Sequence, residues 1–323
     1  MDTELVTALE SELFGVDTGI VTVDTAKKVP ALNRALQVHS TLLGGLPLEL
    51  HTNGVRAEVQ PRFLYDTDDV TLSPYLRTVG MVTDLFLHGI ALLGAYDGED
   101  GLPADAIHIP REFWTINNQG QIEIDERIDK KYHAHPILIP LGSNGVMVDA
   151  IDSIRSYRKI QGIMSDRLDS PVAQTLLKIL DADANLTPAE KKKVVSEYIK
   201  GRNQPGGAVA LVPFGIEVET QGTIQAELFT EERNQTRLDI ANHSSVPASL
   251  LEGSKAGGGG DINYSNEGAT RNELWDFGTS RFANAIEARL SKNDVTPPGS
   301  TIRFNRASLM EVPTPPYSAP TED

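Results

Sequence analysis

Apolar positions recur every three to four residues in some stretches of the chain and every two in others, and that switch of period lays out its elements. VPALNRALQVHSTLLGGL carries Val29, Leu32, Leu36, His39, Leu43 and Leu46 on one stripe, which predicts a helix with Pro30 in its first turn. LPLELHTNGVRAEVQ alternates around Asn53-Gly54, a strong hairpin signal. Tyr75 to Tyr96 is apolar almost throughout and predicts a long, mostly buried helix ending at Gly94. AIHIPREFWTINNQGQIEIDERI is β-rich with a turn near Asn118 to Gly120, and PILIPL is a strand. Val146 to Leu168 predicts another long helix with Met147, Ile151, Ile154, Tyr157 and Met164 apolar.

SPVAQTLLKIL reads as a short helix or helical turn, and DADAN as an acidic loop. A capping box follows, with Thr187 as N-cap, Pro188 at N1 and Glu190 at N3. Its helix is expected to bury Val194, Val195, Tyr198 and Ile199. Lys191, Lys192, Lys193 and Lys200 then form a solvated face or, as the alternative, contact DNA. RNQPGG breaks that helix, and AVALVPFGIEVETQG reads as a strand pair bent at Pro213 to Gly215.

EERNQTRLDIANHSSVPASLL predicts a helix from Glu231 to a stop at Val246-Pro247. EGATRNELWDFGTSRFANAIEARL predicts another, with Trp275, Thr279, Phe282, Ile286 and Leu290 on one face. Between them lies KAGGGGDINYSN, Lys255 to Asn266. Four consecutive glycines have no side chain to bury, so the segment predicts a thin, mobile loop between two good helices. TIRFNRASL is a last strand, and the proline-rich VPTPPYSAPTED is expected to be disordered. Long helices interspersed with hairpins, in no regular βαβ order, give an α+β fold class.

Composition narrows the field. The 323 residues can bury a sizeable core. With no cysteine there is no disulfide, thiolate metal site or cysteine nucleophile. Residues 1 to 25 hold six acids and no basic residue, so they read as loosely packed periphery rather than a signal peptide. The stretch nearest to a membrane span, Val79 to Tyr96, has Asp84 and His88 in its interior and reads as a buried helix. A soluble, intracellular protein is expected. The net charge of −16 argues against ordinary duplex binding, but not against a wall past which DNA slides.

Candidate chemistry is thin. His39 on its apolar stripe reads as a satisfied core histidine rather than a ligand. AYDGEDGLP clusters acids and glycines but lacks the EF-hand spacing, so a solvated turn is expected instead of a calcium loop. His133 and His135 flank Ala134 without a third ligand at metal spacing, so no metal site and no cofactor are expected. The glycine run is no Walker A loop, because Asp261 stands where a lysine would be wanted. GxGxxG, GxSxG and HExxH are absent, and no nucleophile is paired with a base. A catalytic role is not expected.

The order of segments carries a resemblance. VPALNRALQVHSTLLGGLPLEL is similar to a helix closing on an "lPl" strand, and DLFLHGIALLGAYDGEDGLPADAIHIPREFWTI to an "ll.GnAy" helix, acidic turn and "l.p..w.v" strand. RLDIANHSSVPASLLEG is like "r..ia..fgvP..llg". A glycine-rich segment follows it, then "Y.N.e" at Tyr264, Asn266 and Glu267, and a helix with Phe282, Ile286 and Glu287. Over about residues 26 to 310 the chain resembles the portal (head–tail connector) proteins of tailed double-stranded DNA bacteriophages. It departs from them at Ser244 and Ser245, where "fG" is usual, and in LGSNGVMVDAI, a degenerate form of "G.spl". It also leaves little chain for a C-terminal crown.

The resemblance implies a portal fold in a ring of twelve subunits. Residues 1–145 would be the wing region, 146–168 the first stem helix, 169–230 the clip region and 231–250 the second stem helix. Residues 251–268 would be the tunnel loop, 269–293 a kinked tunnel helix, and 294–323 a C-terminal wing strand and tail. The ring would sit in the virion at one capsid vertex, assembled in the host cytoplasm, for DNA packaging and ejection. Its partners would be the major capsid protein, terminase, a head–tail connector or adaptor protein, and double-stranded DNA passing without sequence specificity, with no membrane. The implied channel residues are Gly253, Ser254, Lys255, Ala256, Gly257, Gly258, Gly259, Gly260, Asp261, Asn263 and Tyr264. A ring of loops poor in side chains can touch DNA in any register without reading bases. Two other readings stay open: a virion adaptor that binds only protein, and an enzyme whose Gly257–Gly260 loop covers a phosphate-bearing substrate.

Overall fold

The computed structural model describes residues 20–169, 174–179, 187–202, 216–221, 226–251 and 273–307. The chain divides into two compact units, Met1–Arg158 with Asn234–Asp323, and Lys159–Arg233. Helices and strands alternate without a βαβ order, as the α+β reading expects.

In the larger unit, Thr22 opens α1 (Val23–Lys27) through a reciprocal capping box with Thr25. Val21 and Val23 pack partly buried against the core, so residues 20–25 are not loose; residues 1–19 lie outside the described residues. The expected stripe forms α2 (Pro30–Gly44), which buries Leu32, Leu36, His39 and Leu43. At β1 (Leu48–Thr52) and β2 (Val55–Arg56), Asn53 and Gly54 take φ 53 and 80. Both are left-handed, as a two-residue hairpin requires. Gln60 stands in for a partner strand beyond β2, accepting from the Leu50 N–H at 2.7 Å and donating to the Leu50 carbonyl at 3.1 Å. A short α3 (Arg62–Tyr65) follows.

The expected helix over Tyr75 to Tyr96 is two elements. Helix α4 (Pro74–His88) ends where Gly89 turns left-handed at φ 73, and β3 (Ile90–Asp97) begins at once. Gly94 is therefore a strand residue. Strand β3 is the middle of a sheet in the order β4-β3-β7, with β4 at Pro103–Ile109 and β7 at His135–Pro140. A middle strand is buried on both faces and shows no alternation, which is why it passed for helix. Two buried polar side chains serve the backbone of Ala106 in β4. Arg77 Nη1 donates to its carbonyl at 2.9 Å, and Asp105 Oδ1 accepts from its N–H at 2.9 Å. The hairpin β5 (Trp114–Ile116) and β6 (Ile122–Ile124) turns where expected.

The segment 146–168 is also interrupted. Helix α5 (Val146–Asp149) ends at Ala150, and α6 (Ile151–Asp169) restarts. Of the five apolar residues expected on this helix, Ile154 is buried and the others are half-buried. Helices α2, α4 and α10 (Ser280–Leu290) meet in the core through Leu36, Phe86, Phe282 and Ile286. The last strand, β10 (Ser300–Phe304), pairs antiparallel with β1 from Leu48↔Phe304 to Thr52↔Ser300.

In the smaller unit, the expected short helix within SPVAQTLLKIL is a strand, β8 (Gln174–Ile179). It pairs antiparallel with β9 (Ile216–Gln221) from Gln174↔Gln221 to Ile179↔Ile216. A short apolar run does not fix its own period; the partner strand decides it. Helix α7 (Pro188–Arg202) has the expected cap: the Thr187 N–H donates to Glu190 Oε2 at 2.8 Å, and the Glu190 N–H to Thr187 Oγ1 at 3.4 Å. Val195, expected inside, is exposed, and Val194 and Tyr198 are half-buried. Residues 180–186 and 203–215, with the acidic loop and the bend at Pro213 to Gly215, lie outside the described residues. Helix α8 (Ala226–Ser244) starts five residues before the expected Glu231. Among the described residues no helix is long and apolar enough to cross a membrane.

Candidate functional site

The implied channel loop from Gly253 to Tyr264 lies outside the described residues, as does the tail from residue 308. The structure does describe both flanks of that segment. Upstream, α8 ends at Ser244, and α9 (Ala248–Leu251) follows Val246-Pro247. Downstream, a π-turn at Trp275–Thr279 leads into α10, with the Ser280 N–H bonded to the Trp275 carbonyl. One wider turn is a known origin of helix kinks.

The two flanks meet on His39. Its Nε2 lies 2.9 Å from the Ser244 carbonyl and its Nδ1 2.9 Å from the Thr279 hydroxyl. A carbonyl only accepts, so Nε2 carries the proton; in the neutral ring Nδ1 then accepts from Thr279. Burial holds the ring neutral by lowering its pKa to about 4. The bond to Ser244 opposes that shift and the nearby Arg281 charge adds to it. The ring packs 5.0 Å from Phe282 and 6.0 Å from Phe86. The expected core histidine is thus a polar tie between helices distant in sequence.

Backbone geometry explains the departure at Ser244 and Ser245. The Val246 N–H bonds the Ala241 carbonyl and the Ser245 N–H bonds the Asn242 carbonyl, the paired bonds of a Schellman cap. That cap needs a left-handed residue, and Ser245 supplies it at φ 55, where glycine is the usual choice. Ser244 is buried, and its hydroxyl donates to the Ile240 carbonyl at 2.7 Å. Gly278 lets the π-turn sit directly on the Ser245 carbonyl: a Cβ there would collide with that oxygen.

Two arginines frame the junction. Arg281 donates to Ser245 Oγ at 3.4 Å and to Ser143 Oγ at 3.1 Å. Arg306 lies 4.7 Å over the Trp275 ring and donates to Glu287 Oε1 at 3.0 Å, fastening the π-turn to the segment after β10. Arg281, Ser143 and Gly278 belong to no apolar period and leave no trace of this role in the sequence pattern. Only the smallness of Gly278 within an otherwise helical pattern could have marked it.

The other candidates separate. His133 Nε2 lies 3.0 Å from the Ile128 carbonyl, while His135 Nδ1 lies 2.6 Å from Asp97, so the two rings serve different partners. Among the described residues no group of three or more His, Cys, Asp or Glu could hold a metal ion. The acidic turn after β3 closes on itself, with Asp100 accepting from the Leu102 N–H at 3.1 Å. The hydroxyl bonded to the neutral imidazole at the junction, that of Thr279 on His39, is fully buried with its ring and open to no substrate. What it can do is fix two helix ends against one ring.

No family model matches the chain. No curated protein matches it either. Solved structures do. An HK97-family phage portal protein from Corynebacterium diphtheriae is 23% identical, covering 91% of this chain and 98% of that one, with a TM-score of 0.74. A chain in the neck of an empty gene transfer agent (GTA) particle, computed with C6 symmetry, is 16% identical over 93% of this chain and 87% of that one, with a TM-score of 0.58. In the neck of the native particle, computed with C12 symmetry, the match is 14% identical over 92% and 85%, with a TM-score of 0.58. Over nine-tenths of its length, this chain has the fold of a phage portal protein.

Proposed function

We propose that this protein is a portal, a structural ring at one vertex of a viral capsid through which double-stranded DNA is packaged and ejected. The observation that carries the reading is the fold match along almost the whole of both chains to an HK97-family phage portal protein. Chains of the same fold in GTA necks with C6 and C12 symmetry support a ring, and the reading gives it twelve copies.

In this reading residues 146–168 and 231–250 are the stem helices, and the unit Lys159–Arg233 contains the clip. The segment from Gly253 to Tyr264 lines the bore, and the helix after it is the tunnel helix. The junction on His39 then has a mechanical task. DNA moving through the bore pulls on the loop, and the load reaches the fold through Ser244 and Thr279, which one buried ring holds together. In this reading the chain is a conduit that performs no turnover and takes no cofactor. ATP hydrolysis falls to a docked terminase. The major capsid protein and a head–tail adaptor are the other partners, and the virion is the site of action after assembly in the host cytoplasm.

The test is particle assembly with the capsid protein and terminase, with and without this chain. A portal gives DNA-filled particles only when the chain is present. Equal filling without it would refute the reading.

A further inference from the structure

Arg281 is a half-buried cation without a carboxylate. Its guanidinium donates to the hydroxyls of Ser143 and Ser245 and lies 5.0 Å over the Phe282 ring, but no acid lies within ion-pair distance among the described residues. Asp149 acts on it only at longer range, and burial lowers its pKa. One turn before it stands Phe277, 79% exposed in the π-turn, an aromatic ring left in water on the helix face away from the core. Beside Phe277, Asp276 is exposed and likewise has no ion pair among the described residues. The same short stretch therefore carries an unpaired cation, an unpaired anion and a bare aromatic ring, and its Asp276 does not reach its own Arg281.

An exposed aromatic residue flanked by an arginine that has no carboxylate is the composition of an interface centre. We propose that this face meets a second copy of the chain, with Arg281 of one copy pairing with Asp276 of the next across Phe277. A two-fold dimer could also pair each copy's Arg281 with the other's Asp276; the ring of the portal reading selects the heterologous arrangement, in which each copy gives Arg281 to one neighbour and Asp276 to the other. Repeated around an axis it closes a ring. A chain with net charge −16 repels its own copies, so a cation held for a neighbour's acid would fix both contact and register. The inference deepens the portal reading and rests on its ring.

The chain contains no cysteine, which makes it a clean background for the test. Asp276→Cys and Arg281→Cys are made as single variants, and each is treated with a short thiol cross-linker, alone and mixed. Cross-linked pairs are expected in the mixture and not in either variant alone. In parallel, Asp276→Arg and Arg281→Glu should each reduce the ring population by about tenfold, and the double variant should restore it. Phe277→Asp should prevent assembly while leaving the circular dichroism spectrum unchanged, since most of that side chain lies in water. Rings that ignore all three changes, or equal cross-linking in the unmixed variants, would overturn the contact and leave the portal reading standing. A wild-type chain that forms no ring would remove both.

Discussion

The Nδ1 atom of His39 lies 2.9 Å from the hydroxyl of Thr279, a hydrogen bond that spans 240 positions of chain. The other nitrogen of the same ring reaches the last carbonyl of α8, so a single side chain locks both flanks of residues 252–272.

That lock depends on protonation. The folded pKa of His39 is lowered to about 4, below its unfolded value of 6.5. Between those values the unfolded chain binds the proton and the folded chain does not, so stability falls as pH falls from about 6.5 to about 4. The loss reaches about 3 kcal/mol. Urea midpoints measured at pH 7 and pH 4.5 should diverge more for the wild type than for His39→Gln. Equal divergence would show that carboxylates alone set the acid sensitivity.

Ser245 and Gly278 should respond oppositely to a change at Cβ. Ser245→Gly removes the left-handed penalty of about 1 kcal/mol and loses only a long contact to Arg281. It is expected to raise the melting temperature. Gly278→Ala drives a Cβ into the Ser245 carbonyl and should cost about 2–4 kcal/mol, in the range of core overpacking. Differential scanning calorimetry of both variants checks the pair.

A conduit has no need of nucleotide or metal. Calorimetric titration with Mg-ATP and with zinc should find no stoichiometric site tighter than ~10 μM, about −7 kcal/mol. A site of that strength would favour the enzyme reading of the Gly257–Gly260 segment.

Replacing Gly257 to Gly260 with proline-containing sequence should lower packaged DNA while ring size and melting temperature stay unchanged. The glycines have no side chains to bury, and proline restricts the backbone. In the portal reading Lys255 would hold a phosphate briefly and Asp261 would repel it, a balance that favours sliding over capture. Normal DNA content in particles built with the variant, or collapse of the ring, would each place the loop elsewhere.

Several elements were legible because one local signal decided them. The stripe from Leu32 to Leu43, the Asn53-Gly54 turn and the Thr187–Glu190 cap each carry their geometry within a few residues. The end of α4 was less legible. His88-Gly89 is a helix-stop signal, but the apolar run resumes at once in Ile90 to Leu93, and a strand buried on both faces shows no alternation to mark the change of period. Strand β8 likewise needed β9, some forty residues away, to decide its period. At the junction, His39 was readable as buried, but its partners Thr279 and Ser244 were not, because long-range polar pairing leaves no periodic trace. Ser245 was visible only as a departure from the expected glycine, and its φ supplies the reason.

A portal is a closed ring with an axial bore. Negative-stain images of the purified protein, supplied with its capsid or scaffold partner if assembly is slow, test for that ring most directly. The portal account predicts end-on views of rings with a stain-filled centre and about twelve subunits. A population of monomers at every concentration and salt, with no ring even beside those partners, would contradict it.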